Sequence, residues 1–583
     1  MRTKPFVIGP ALPLGLGALA LLSLAACGGS GDDAAPVPAD TAHALPQLAA
    51  ATPAALAGGC DELGAKLAGQ AGTVIDKVST VAAGTVLTAS TPAPEHCLVE
   101  GHMAQRTSTV DGRSYAVGFQ LRLPKAWNGR FYYQANGGMD GAVVPAAGAL
   151  GGGPLTGALV QGFAVISSDA GHQPNTDPTF GIDPQARLDY GYQAVEKLTP
   201  MAKESIRRAY GKAPDRSYFG GCSNGGRHTF VAAARHPDWY DGYLAGAPGF
   251  NLPKAAVASI WGGQRYASLV AAPNDPATPA GLETAFTLAE RQLVGRAVLA
   301  KCDALDGAAD GLVQDTAACQ AAFNLARDVP SCGSGGRDGS CLSDAQKTVV
   351  ASIFAGATTS TGAPIYASFP WDSGIAGSGI ASWEFASPLQ RDAGAVAFIF
   401  NTPPQAAAGF DGAAFALGAS IDALAAGITA TAGVYAESAM GFMAPPNPTD
   451  LGALKNRGAK MMVYHGVGDP IFSVNDTAAW YDGLRASNGG DAGSFARLYR
   501  VPGMGHCSGG PATDQFDMLT PLVKWVEQGQ APQAVVASAR GGVNADVPAS
   551  WAADRTRPLC PYPQVARYKG SGSLEAAESF SCQ

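Results

Sequence analysis

Residues 218–230 read YFGGCSNGGRHTF. A short apolar run ends in paired glycines, a serine follows, and helical spacing then continues to Pro237. A strand–turn–helix of this kind lifts a serine hydroxyl clear of a sheet and aims backbone N–H groups at the same point. Gly221-Cys222-Ser223-Asn224-Gly225 fits the pattern G-x-S-x-G, and Gly220 and Gly226 extend it. Small neighbours are needed because such a turn is strained and crowded. Ser223 is therefore expected to be a nucleophile. The alternative is a glycine-rich turn with an idle serine. The cysteine beside the serine needs its own explanation.

A serine nucleophile needs a base, and the base needs an orienting acid. On a mainly parallel α/β sheet the three follow in the order Ser, acid, His. Of eight histidines, only His465 and His506 lie where the closing strands are expected. In YHGVGDPIF, Asp469 comes just after a strand, and in VPGMGHCSGG, His506 sits in a glycine-rich loop after the next strand. Ser223, Asp469 and His506 thus form the expected triad. Asp476 is the runner-up acid but falls in the following helix. His465 is read as a strand-end residue lining the site, with a structurally hydrogen-bonded histidine as the alternative.

Working outward, strands are expected in GRFYYQAN (129–136), GFAVISSD (162–169), SYFGG (217–221), DGYLAGAP (241–248), AKMMVYHG (459–466) and ARLYRVPG (496–503). Helical stretches lie between them: 186–211 with a proline inside, 224–237, and a closing helix ending near Gly529. Alternating strands and helices indicate a mainly parallel sheet covered on both faces. The rhythm breaks over 250–450, an Ala/Gly-rich region with four cysteines and with aromatics at Trp371, Trp383, Phe385, Phe398 and Phe400. This region is read as an inserted lid domain, which divides the core into 58–249 and 451–583.

The chain has 583 residues, 15% charged and 46% apolar, so its body is expected to be globular. A net charge of −8 without Lys/Arg runs argues against nucleic acid as a partner. Residues 1–27 read as a targeting signal: Arg2 and Lys4, an apolar stretch broken by proline, then Leu24-Ala25-Ala26-Cys27. The ending resembles a bacterial lipoprotein box, with Cys27 lipidated. An ordinary cleaved signal peptide is the alternative. Gly28 rather than aspartate follows, which favours the outer membrane. Residues 28–57, rich in Ala, Pro, Gly and Asp, are expected to be a flexible tether. The expectation is an exported monomer, outer-membrane lipoprotein or periplasmic/extracellular, touching membrane only through the N-terminal lipid.

Ten cysteines remain after Cys27, an even number in an exported chain, which implies disulfides. Four pairs are local: Cys60/Cys97, Cys302/Cys319, Cys332/Cys341 and Cys560/Cys582. That leaves Cys222 and Cys507. Since Ser223 follows the one and His506 precedes the other, a Cys222–Cys507 bridge would tie nucleophile to base. Bridged Cα atoms stand about 5–6 Å apart, a separation compatible with a Ser–His hydrogen bond between their neighbours. Two buried free thiols are the alternative. No CxxC pair has zinc spacing, so zinc is not expected. In CDALDGAADGL (302–312), Asp303, Asp306 and Asp310 crowd three carboxylates together, an oxygen-rich loop of the kind calcium favours; an acidic surface turn is the alternative.

Adjacent Cys-Ser, a late Asp and adjacent His-Cys resemble the signature of the tannase and feruloyl esterase family. The landmarks are NGG (136–138), GGCSNGGR, YHGVGD, PGMGHCSGG and RPLCPYPQVARYKGSG. The C-terminal stretches look especially like the branch containing mono(2-hydroxyethyl) terephthalate hydrolases. The resemblance implies an α/β-hydrolase core with a large lid, five disulfides, and hydrolysis of small esters of aromatic acids through an acyl-enzyme. It also implies a structural Ca2+ held by side chains of Asp303, Asp306 and Asp310 and carbonyls of Ala308 and Leu312. The oxyanion donors implied are the Asn224 N–H and one from the Asn136-Gly137-Gly138 loop, Gly137 or Gly138. Among lid aromatics Trp383 is the candidate to grip the substrate ring. A free carboxylate on the substrate would want a lid arginine. Arg391, in SPLQRDAG, is the sole arginine between 338 and 456, and its setting matches no ligand-binding pattern. A hydrolase-like surface lipoprotein that binds aromatic or glycan ligands without catalysis is the rival reading.

Overall fold

The computed structural model describes residues 45–87, 91–150, 157–333 and 336–583. Its main sheet has nine strands: β1 Thr73–Val81, β2 His96–Thr107, β3 Ser114–Pro124, β4 Arg130–Gln134, β5 Ala164–Ser168, β6 Arg216–Cys222, β7 Gly242–Gly246, β8 Lys460–Gly466 and β9 Ala496–Val501. Their order across the sheet is β9-β8-β7-β6-β4-β5-β3-β2-β1. From β5 to β9 all neighbours are parallel, and β3, β2 and β1 extend the sheet antiparallel. The six strands expected from the sequence are those of the parallel part.

The parallel strands are apolar on both faces because both faces are covered. Along β4, Phe131 and Tyr133 join one core while Tyr132 joins the other. The first core is closed by helix α1, Ala194–Tyr210, by α2, Asn224–Arg235, and by α5, Val474–Ser487; the second by α6, Leu519–Gln528. Each large side chain so buried contributes about 1.5–3 kcal/mol. Gly529 ends α6 at φ 69°, a left-handed stop that glycine adopts without strain.

Between β7 and β8 the chain leaves the sheet for more than two hundred residues and returns as its direct neighbour. The intervening segment is helical and builds a separate apolar core around helix α3, Leu252–Ala267, and helix α4, Leu288–Cys302. Phe385 and Phe400 are buried there, Phe398 is buried against Phe410, and Trp371 stacks on Phe354 with ring centroids 4.0 Å apart. Residues 45–583, inserted segment included, cluster as one compact unit.

The expected tether ends earlier than residue 57. From Leu45 the chain lies on the core: Gln47 Nε2 donates to Val526 O at 2.8 Å, the Ala51 N–H to Glu527 at 2.9 Å, and Ala54–Ala55 pair with Ala126–Trp127. Composition marked this stretch as loose, but Gln47 and Ala51 find fixed acceptors on α6, Thr52 on Asp215 and Leu56 on Lys125. Cys27 and the targeting segment lie outside the described residues. No described helix is long and apolar enough to cross a membrane.

All five expected disulfides are present: Cys60–Cys97, Cys222–Cys507, Cys302–Cys319, Cys332–Cys341 and Cys560–Cys582.

Candidate active site

Ser223 stands between the end of β6 and the start of α2 with φ 66° and ψ −125°. That conformation costs a non-glycine residue about 1–3 kcal/mol and needs rigid surroundings. They are supplied by a close approach of backbones. A Cβ on Gly221 would lie 2.3 Å from the Ala135 carbonyl oxygen, and one on Gly225 would lie 2.4 Å from the same atom. The Ser223 N–H donates to Gly246 O at 3.0 Å, pinning the turn to β7.

His506 lies in the loop after β9 and Asp469 in the loop after β8. His506 Nε2 is 2.7 Å from Ser223 Oγ, and Nδ1 is 2.7 Å from Asp469 Oδ2. The two loops are joined by a hydrogen bond from the Gly468 N–H to Met504 O at 3.0 Å. Asp469 Oδ1 accepts from the N–H groups of Ile471 and Phe472, both at 3.0 Å. Burial works against its charge, but the His506 charge and hydrogen bonds from His465 and His506 outweigh it and hold the carboxyl well below its usual range. The Cys222–Cys507 bridge spans the flanking residues with Cα atoms 6.1 Å apart. Ser223 and His506 are thus linked covalently through their neighbours as well as by their own hydrogen bond.

Asp476 lies in α5 and accepts from Asn251 Nδ2 at 3.0–3.1 Å instead of reaching His506. His465 is not a cleft residue, contrary to expectation. It is fully buried behind the acid: Nε2 donates to Phe472 O at 2.9 Å and lies 3.3 Å from Asp469 Oδ2, while Nδ1 accepts from Thr477 at 2.9 Å. A strand-end position suggests access to the site, but here the side chain points beneath the loop that carries Asp469.

A cleft of about 710 Å³ opens over Ser223 and His506, bordered by Gly137, Gly138, Trp383 and Arg391. A narrower recess runs from Ser223 under the inserted segment, between Met139, Leu252, Phe400, Ile471 and Phe472. Trp383 meets the His506 ring edge-on with centroids 4.8 Å apart. The Arg391 guanidinium lies 4.5 Å from the Trp383 ring centre and has no acidic partner among the described residues. No local pattern around Arg391 marks it for this cleft; the packing of its short helix, Arg391–Gly394, against α3 brings it here. Gly137 lies close against the elbow, since a Cβ there would be 3.7 Å from Ser223 Cβ. Among the described residues, the N–H groups of Gly137, Gly138 and Asn224 donate to no protein acceptor.

The acidic loop lies in the inserted segment against the C-terminal strands. Asp303 Oδ1 accepts from the Asp310 and Gly311 N–H groups at 3.0 and 2.9 Å, and Asp310 pairs with the buried Arg557. Asp306 Oδ2 is buried without a partner. Burial, with Asp310 and Asp303 nearby, pushes its carboxyl up to about 7. Among the described residues no three ligating side chains are arranged to hold a metal. Asp306 Oδ1 accepts from the Ala308 N–H at 3.0 Å, which leaves Asp306 Oδ2 as the one carboxylate oxygen of Asp303, Asp306 and Asp310 without a donor among the described residues.

A family model described as tannase and feruloyl esterase matches residues 97–583. The chain belongs to the tannase and feruloyl esterase family. It is a carboxylic ester hydrolase. It is 41% identical over 544 residues to the mono(2-hydroxyethyl) terephthalate hydrolase of Piscinibacter sakaiensis, covering 88% of this chain and 89% of that protein. It is 28% identical over 501 residues to a probable feruloyl esterase B-1 of Aspergillus fumigatus, with 79% and 81% covered. The crystal structure of feruloyl esterase B from Aspergillus oryzae superposes with a TM-score of 0.70 at 23% identity, covering 89% of this chain and all (100%) of that one. Tannin acyl hydrolase from Aspergillus niger gives 0.66 at 21%, covering 90% and 94%. These two likenesses establish the α/β-hydrolase fold of this family member.

Proposed function

We propose that this protein is an exported serine esterase that cleaves monoesters of aromatic acids bearing a free carboxylate, through an acyl-enzyme. The observation that carries the reading is the unbroken chain Asp469–His506–Ser223, with both links at 2.7 Å, opening on a cleft that also presents Trp383 and Arg391, which has no acidic partner among the described residues. His506 takes the Ser223 proton as Oγ attacks the ester carbonyl carbon. The negative charge on the former carbonyl oxygen is received by the Asn224 N–H and that of Gly137, each worth a few kcal/mol in a preorganised site. The C–O bond to the alcohol breaks, and His506 protonates the departing oxygen. Water, deprotonated by His506, then attacks the acyl carbon and frees Ser223. Asp469 holds the imidazole in place and stabilises its cationic form.

Trp383 offers a flat face for the aromatic ring. Arg391 offers a planar fork of donors that suits a carboxylate on its far side. The relative named for terephthalate monoester hydrolysis supports the same substrate class. We further propose a structural Ca2+ held by Asp306 with the carbonyls of Ala308 and Leu312, supported by the buried and unpartnered Asp306 Oδ2. The ion would neutralise the crowded carboxylates; no step of the ester chemistry needs it. Export and lipidation at Cys27 rest on the N-terminal sequence.

The test is a hydrolysis panel of terephthaloyl monoester, its methyl-capped diester, feruloyl and galloyl esters, with Ser223→Ala as the control. The terephthaloyl monoester is expected to give the highest kcat/KM. A panel in which the capped diester outpaces the monoester excludes the carboxylate reading. Failure of a fluorophosphonate probe to label Ser223 excludes catalysis and leaves a binding protein.

A further inference from the structure

We propose that Asp140 and His228 are positioning residues that lock the two halves of the oxyanion hole to each other. The inference rests on Ser223 being the nucleophile. Asn224 carries one oxyanion donor on its backbone, and its side chain forms a brace: Nδ2 donates to Asp140 Oδ2 at 2.8 Å. Asp140 belongs to the loop that carries the other donor, and its own N–H donates back to Gly137 O at 3.2 Å. One carboxylate therefore ties the first turn of α2 to the Gly137–Gly138 loop. His228, one turn further along α2, donates Nε2–H to the same Asp140 oxygen at 2.8 Å.

The brace closes into a ring. Arg227 Nε donates to Asn224 Oδ1 at 2.6 Å, while its Nη1 and Nη2 donate to the carbonyls of Gly191 at 2.8 Å and Tyr190 at 3.0 Å. Tyr190 Oη then donates to Gly138 O at 3.3 Å, back on the oxyanion loop. His172 supports the same loop from outside, donating to Met139 O at 2.7 Å. Asn224, Arg227, His228, Asp140 and Tyr190 are all buried. The Arg227 cation attracts the Asp140 carboxylate and offsets part of its charge beside the oxyanion loop. Burial and the Arg227 charge hold His228 below its ordinary pKa, so its neutral ring donates from Nε2 to Asp140, while Arg227 Nη2 lies against the ring, 3.1 Å from Nδ1 and 2.9 Å from Nε2. Asp140 has φ 55°, a conformation that Asp and Asn tolerate better than most residues, held here by its partners.

Oxyanion donors act only within about 2.7–3.1 Å of the charge they stabilise, and a displacement of about 1 Å costs roughly a hundredfold in rate. Asn224→Ala keeps the peptide N–H and removes only the brace. It is expected to lower kcat by about tenfold to a hundredfold while KM stays within about twofold. An arylboronic acid reports the same geometry. Its trigonal boron accepts the Ser223 Oγ lone pair as the Oγ proton passes to His506, giving a tetrahedral anion. Its inhibition constant should rise by the same factor as kcat falls. His228→Leu should reproduce the loss, and His228→Gln, whose amide N–H can still donate to Asp140, should restore most of it. Unchanged kcat and boronate affinity in Asn224→Ala and His228→Leu overturn the proposal. So does a rise confined to KM, which makes Asp140 a substrate contact, or a loss that tracks melting temperature and is not rescued by His228→Gln. Normal turnover by Ser223→Ala would instead overturn the reading of the nucleophile.

Discussion

At the ends of β6, β8 and β9, Ser223, Asp469 and His506 are fixed by a disulfide, by backbone hydrogen bonds between loops and by glycines that let the chains touch. Trp383 and Arg391 reach the same cleft from a helical segment with no strand in the sheet, held by helix packing against α3 and by ring and guanidinium stacking. The first region has no freedom to vary without losing its geometry. The second can change which ligand it grips while the reacting atoms stay in place. On the proposed reading, the chemistry and the selectivity of this esterase fall to parts of the chain with different mechanical constraints.

The largest effect should come from the rigid region. Ser223→Ala and His506→Ala should each reduce kcat by a factor on the order of a thousand or more, because the triad acts as a unit. Asp469→Asn should cost a similar amount or somewhat less. Steady-state kinetics on purified protein decide it, and loss in Asp476→Asn but not in Asp469→Asn would move the acid to α5.

Removing the covalent link tests whether rigidity itself matters. The double variant Cys222→Ala/Cys507→Ala should lose roughly a hundredfold in kcat even at a low temperature where circular dichroism shows it folded. The bridge also closes a loop of 285 residues, so its loss should lower stability by about 5 kcal/mol in the chain-entropy model. Full activity in the folded double variant would reduce the bridge to a staple.

Arg391→Ala should act on selectivity alone. A charge-assisted, two-pronged contact is worth about 1.5–3 kcal/mol, so KM for a terephthaloyl monoester should rise by about tenfold to a hundredfold with kcat little changed, and the capped diester should be unaffected. Equal losses on both substrates would place Arg391 in the rigid region's company.

Chelation should lower the melting temperature by several degrees and leave kcat at low temperature nearly unchanged, since the Asp306 loop takes no part in acyl transfer. Elemental analysis showing no calcium, with an unchanged melting point, removes the ion.

The smallest effect concerns how the two regions are joined. Asp372 of the inserted segment accepts from the Gly374 N–H at 2.8 Å and from the Gly503 N–H, in the loop before His506, at 3.1 Å; its other oxygen is buried without a partner. Burial, against these hydrogen bonds, raises its pKa from 3.8 to about 6. Between those values the folded protein keeps a proton that the unfolded chain releases, so stability should fall as pH rises through this window. Asp372→Asn should flatten the melting-temperature profile from pH 4 to 6 by a few degrees; an unaltered slope assigns it to other groups.

Much of this site was legible in the sequence because its determinants are local. Glycines flanking Ser223 announce a close approach, a strand followed by Gly-x-Gly-Asp puts Asp469 at a strand's C-terminal end, and Cys222 and Cys507 could be paired because each abuts a triad residue. The parallel strands were legible for the same reason: short apolar runs separated by helical spacing have few other solutions. What the sequence could not decide were contacts between residues far apart in the chain whose side chains carry no local signature. His465 follows the same strand pattern as a cleft residue, yet packing directs it beneath Asp469. Residues 45–57 have the composition of a linker, yet α6 offers them acceptors. Arg391 sits in an undistinguished stretch, and the inserted segment brings it over Ser223. The Asp140–Asn224–His228 brace joins a loop and a helix that are neighbours only once β4 and β6 pair. Local chemistry and periodicity fix which residues can react; only the pairing of strands and the packing of helices fix which other residues stand around them.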